Sequence, residues 1–179
     1  MNPTLRYSLI YGGLSAAVLA AFIGVIGTLH ERVHFVATLT FGYSVMLVAM
    51  SFVFVGVKRY RDVEGGGVIK FGRALGLGLL IALIACLAYV LIWEAYLALT
   101  HYRFMDDYIA KLLHDARASG KSAAEITRMT AEFDGMREMY ANPLIRMPMT
   151  FMEVGPVGLV VAFVSAALLQ NPRLFPARR

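Results

Sequence analysis

Phe71–Leu99 reads FGRALGLGLLIALIACLAYVLIWEAYLAL, and this stretch decides the fold class. Its charges are Arg73 near the start and Glu94 near the end, and the residues between them are almost wholly apolar. A helix needs about 20 apolar residues to cross a bilayer core of about 30 Å. A run of this length with no water to hydrogen-bond its backbone must satisfy every N–H and C=O within itself, which a helix does. Three further runs have the same character: residues 7–29, 35–57 and 148–169. The expectation is an all-α integral membrane protein with four transmembrane helices, forming one four-span domain over residues 1–179.

Composition agrees. Hydrophobic residues make up 59% of the chain and charged residues 16%, against about 25% charged in soluble domains. Mean hydropathy is +0.64. The net charge of +5 does not point to nucleic acid, because the basic residues cluster beside the spans. The single cysteine, Cys86, falls inside the third span and excludes an intrachain disulfide framework.

Charge sets the expected orientation. Lys58, Arg59, Arg61, Lys70 and Arg73 crowd the connection between spans two and three; Arg6, Arg173, Arg178 and Arg179 fall on the same side. Basic residues close to span ends are retained in the cytoplasm, so both termini and this loop are expected there. The loop cations also suit anionic lipid headgroups, or they serve topology alone. Residues 103–141 then lie outside the cytoplasm, between the third and fourth spans. Met105, Ile109, Leu112, Leu113 and Ala116 form one stripe at helical spacing, and Ile126, Met129, Phe133, Met136 and Tyr140 a second. Ser122 followed by Glu125 fits a capping box. The reading is an extracytoplasmic amphipathic helical hairpin.

Besides the basic loop, two constellations are candidates for chemistry. Glu94, Arg146 and Glu153 are ionisable residues in or beside apolar spans, where charge is expensive and marks either a functional pathway or a structural pair. Pro148 is expected near the first turn of the fourth span, with Arg146 leading into it, and Pro156 is expected to kink that helix. His30-Glu31-Arg32-Val33-His34 satisfies H-E-x-x-H, which on a helix places two imidazoles on one zinc with the glutamate as base. His101 is the best third ligand, ahead of His114, Asp106 and Asp107. The competing reading is a polar turn joining spans one and two. Gly65-Gly66-Gly67 does not fit a phosphate-binding loop, and no G-x-S-x-G is present.

The chain also resembles the bacterial membrane family known as domain of unknown function 4199. The resemblance rests on residues 42–47, on Phe54-Val55-Gly56-Val57-Lys58-Arg59-Tyr60-Arg61-Asp62, on residues 66–72 and 89–94, and on Asn142-Pro143-Leu144 with Met147–Glu153. It implies a four-helix inner-membrane protein of a Gram-negative bacterium, and it brings no reaction, cofactor or catalytic residue. The expected function is therefore a non-enzymatic structural, accessory or interaction protein of the cell envelope. Its partners would be membrane lipids and either a second copy or a membrane-protein complex, with no nucleic acid. The alternatives are a small carrier or proton-coupled component using Glu94, Arg146 and Glu153, and, more remotely, a zinc site at His30 and His34.

Overall fold

The computed structural model describes residues 1–29 and 39–177. These form six helices: α1 (Pro3–Leu29), α2 (Leu39–Glu64), α3 (Phe71–Leu99), α4 (Phe104–Ala118), α5 (Ala123–Ala141) and α6 (Pro143–Leu169). No strand occurs among the described residues. Four of the helices are long and apolar enough to cross a membrane: Pro3–Val25, Thr40–Glu64, Phe71–Leu99 and Pro143–Leu169. At 29 residues, α3 is about 44 Å long at the 1.5 Å rise of an α-helix, longer than the apolar core it crosses.

The helix ends differ from the ends of the apolar runs. α2 continues beyond Val57 through Lys58–Glu64, because its charged last turns leave the hydrocarbon without leaving the helix. α6 starts at Pro143 rather than near Pro148. Proline is pre-organised for the first helical position, and the Asn142 side chain accepts a hydrogen bond from the Leu144 amide at 3.0 Å. Arg146 is therefore inside the first turns of a helix and not ahead of it. The helix runs on through Pro148 and Pro156.

The chain divides into two compact units, residues 1–92 with 151–179, and residues 93–150. In the first unit the core is built from small and branched side chains with no exposure: Ala49, Val53, Val57, Ile81, Ala85, Ala162 and Ala166 among them. Helices in lipid gain nothing from excluding water from one another, so close backbone approach takes over. Gly12 and Gly56 provide it. A Cβ on Gly12 would lie 2.7 Å from Ile84 Cγ2, and one on Gly56 would lie 2.8 Å from Tyr11 Cγ. Gly158 approaches Ala82 in the same way, at 3.0 Å. A Cβ on Gly13, Gly72 or Gly76 would meet nothing within 4 Å, so not every glycine of α1 and α3 marks helix contact. Ser15 adds a polar tie, donating to the Ala49 carbonyl at 2.8 Å.

In the second unit, α4 buries Ile109 and Ala116, and α5 buries no residue at all. Arg137 on α5 pairs with Asp106 on α4 at 2.7 Å, and the rings of Phe104 and Tyr140 lie 6.4 Å apart. Gly120, at φ 79°, closes the connection between the two helices. The capping box forms: Ser122 Oγ accepts from the Glu125 amide, and the Glu125 carboxylate accepts from the Ser122 amide at 2.9 Å. The Ser122 hydroxyl also donates to that carboxylate at 2.8 Å, and these bonds hold the Glu125 carboxyl below its ordinary value. A group depressed in the folded state contributes fully above its unfolded pKa and loses that contribution as pH falls through the folded one. The first turn of α5 is therefore expected to loosen on acidification below the ordinary carboxylate range. Amide exchange at residues 123–127 is the measurement. Taken as protection relative to the intrinsic exchange rate at each pH, the acid-induced loss should be absent in Glu125→Gln, which should be less protected throughout.

Candidate functional site

The most highly connected polar group of the second unit is Arg146, only 3% exposed. α6 presents it at its fourth residue, directly after the end of α5. Glu94 comes from the last turns of α3. Arg146 Nε meets Glu94 Oε1 at 2.7 Å, and Nη2 meets Oε2 at 2.6 Å. This is the two-pronged geometry that matches a planar guanidinium to a carboxylate. Nη1 donates to the carbonyls of Tyr140 at 2.8 Å and Ala141 at 3.4 Å. Those oxygens belong to the last turn of α5, where helical carbonyls have no partner within the helix and the dipole favours a cation.

Aromatic rings close the site. The guanidinium carbon lies 5.2 Å from the Tyr102 ring centroid and 5.7 Å from that of Tyr140, within cation–π range. The Tyr140 hydroxyl accepts from Trp93 Nε1 at 2.8 Å. Tyr102 reaches its place through a distorted turn: His101 and Tyr102 both have positive φ, 54° and 56°, and the Tyr102 amide donates to the Leu97 carbonyl at 2.8 Å. Non-glycine residues in this region cost of order 1–3 kcal/mol each and persist where surroundings hold them. Beside the pair is a pocket of about 440 Å³ lined by Glu94, Tyr102, Met105, Asp106, Arg137 and Arg146 among others.

Chemically the arrangement is closed. Both Glu94 oxygens are held by Arg146. Among the described residues no buried side-chain nitrogen or oxygen lacks a partner. The two carboxylates that line the pocket are both paired, Glu94 with Arg146 and Asp106 with Arg137.

Glu153 is not a partner in this ion pair, which Arg146 makes with Glu94. It lies in the first unit, surface-exposed, with the Tyr89 hydroxyl donating to it. The five basic loop residues separate into different roles. Arg61 is fully buried. Its Nε donates to Asp62 at 2.8 Å, its Nη1 to the carbonyls of Leu174 at 3.2 Å and Leu169 at 3.5 Å, and its Nη2 to that of Phe175. The chain after α6 is thus clamped onto the end of α2, and Phe175 packs edge-on against Phe54 at 5.2 Å. Lys58 pairs with Asp62. Arg59, Lys70 and Arg73 are exposed.

His30, Glu31 and His34 lie outside the described residues. His101 is exposed in the turn after α3. Among the described residues no group of three or more His, Cys, Asp or Glu side chains is placed to hold a metal ion.

A family model described as Protein of unknown function (DUF4199) matches residues 6–171. No curated protein and no solved structure matches the chain.

Proposed function

This chain belongs to the DUF4199 family, and we propose that it acts as a non-enzymatic accessory protein of the bacterial inner membrane, contacting its partner through the segment that contains α4 and α5. In this reading the four spans form one membrane domain. The termini and the basic 58–73 stretch lie in the cytoplasm, and α4 and α5 form a helical hairpin on the outer side.

One contrast carries the proposal. The segment is anchored by a buried, fully satisfied ion pair, yet α5 buries none of its residues. Met136 is 39% exposed and Met139 52%. A helix held firmly and left uncovered has the character of a presented surface, and flexible, polarisable methionines suit such a surface. The carrier reading has less support. Glu94 and Arg146 hold each other so completely that alternating access would have to break the pair at every cycle.

The test is site-specific photocrosslinking in native membranes from positions 136 and 139. Adducts larger than the monomer are expected from both positions and not from the buried position 109. Their mass separates a second copy from a different protein. Monomer alone at both positions would remove the proposal's support.

A further inference from the structure

A second pocket, independent of the outer segment, lies where α1 and α3 begin and α2 ends. It encloses about 800 Å³ and is lined by Pro3, Tyr60, Glu64, Val68, Lys70 and Arg73 among others. We infer that it holds the phosphate of an anionic phospholipid headgroup.

The charge balance points that way. Glu64 is the one carboxylate in the lining, and Arg6 engages it at 2.9 Å. Among the described residues neither Lys70 nor Arg73 takes part in an ion pair. The pocket therefore carries two uncompensated cations. Arg73 is also pre-positioned. Its guanidinium carbon lies 5.7 Å from the Tyr60 ring centroid, and that ring is buried and set edge-on to Tyr7 at 5.4 Å. Stacking covers a guanidinium face and leaves its in-plane N–H donors for phosphate oxygens.

Position adds the second requirement. The cations stand where two apolar spans meet their polar connection, which is headgroup depth for a helix that crosses the bilayer. The positive end of the α3 dipole faces the same region. Pro3 and Val68, the latter 59% exposed, give apolar rim for the glycerol and upper acyl carbons. A free phosphate would use the same cations and none of the apolar rim.

The experiment is native mass spectrometry of the full chain released from vesicles of equal phosphatidylglycerol and phosphatidylcholine. Wild type is expected to retain phosphatidylglycerol in preference. Lys70→Gln/Arg73→Gln should weaken that retention about thirtyfold, the combined effect of two juxtamembrane cations. Arg59→Gln, an exposed cation outside the pocket lining, should leave it unchanged. Equal retention of the two lipids overturns the inference. So does an equal loss in Arg59→Gln, which would mean a diffuse surface potential. Inorganic phosphate bound by the detergent-solubilised protein, displacing the lipid and lost in the double variant, would assign the pocket to a free phosphate instead. Both substituted side chains are exposed, and an unchanged melting temperature verifies that the variant is folded.

Discussion

Arg146→Ala is expected to destabilise the protein by about 3–5 kcal/mol, the range for removing one partner of a buried ion pair. The loss has two sources. Glu94, whose side chain is 15% exposed, is left as an unpaired carboxylate. The carbonyls of Tyr140 and Ala141 lose the donor that caps α5. Glu94→Gln is a gentler change: it keeps an acceptor for Nε and leaves the α5 carbonyls their donor, but it removes the counter-charge and turns an amide NH2 toward Nη2, so it should cost about 2–3 kcal/mol. Unfolding in mixed micelles by increasing dodecyl sulfate measures both. A third variant separates pairing from bulk. Arg146→Lys keeps the charge and discards the fork, and a point charge cannot serve both carboxylate oxygens and the α5 carbonyls together. It should fall between the other two. Equal stability for Arg146→Ala and wild type would show that the pair contributes nothing.

Arg61→Met should release the chain beyond α6. Methionine fills much of the volume and donates to nothing, so the carbonyls of Leu169, Leu174 and Phe175 are left without their buried partner, a cost of about 3 kcal/mol. Because these acceptors belong to residues after or at the end of α6, the loss should show first as local opening of residues 170–177. Limited trypsin digestion reads it at Arg173. Cleavage there is expected to accelerate by about tenfold or more, in proportion to the population of the opened tail. Cleavage at the wild-type rate, with global stability reduced, would show that Phe175 packing on Phe54 holds the tail without Arg61.

Much of the architecture is legible in the sequence because lipid imposes one demand per span. Phe71–Leu99 must be helical to satisfy its own backbone, and its composition says so directly. The capping box is legible for a related reason: Ser122 and Glu125 are three residues apart, and their interaction is local. The helix ends are less so. Hydropathy reports where the hydrocarbon stops, and α2 outlasts it to Glu64, while α6 starts before it at Pro143. The Asn142-Pro143 signal for that start is present in the sequence but is outweighed by the charge of Arg146. The partner of Arg146 is 52 residues away in sequence, and Glu94 and Glu153 are equivalent candidates until the fold separates them. Arg61 leaves no trace of its role. Its acceptors are carbonyl oxygens, which every residue has, and a basic residue beside a span reads as a topology signal whatever it touches. The paired positive φ values at His101 and Tyr102 are equally silent, since neither residue type announces a left-handed turn.

The Arg61 clamp has a consequence in time. During synthesis α2 enters the membrane well before residues 169–175 exist. Over that interval Arg61 has Asp62 beside it and none of its three later carbonyl acceptors. It is then a cation at a span end, the class of residue that biases how a span is oriented. Only once α6 and the residues after it have been made do those acceptors exist for the guanidinium to engage. The acceptors of the clamp are the last part of it to be made, so the moment at which it can close is fixed by the direction of translation.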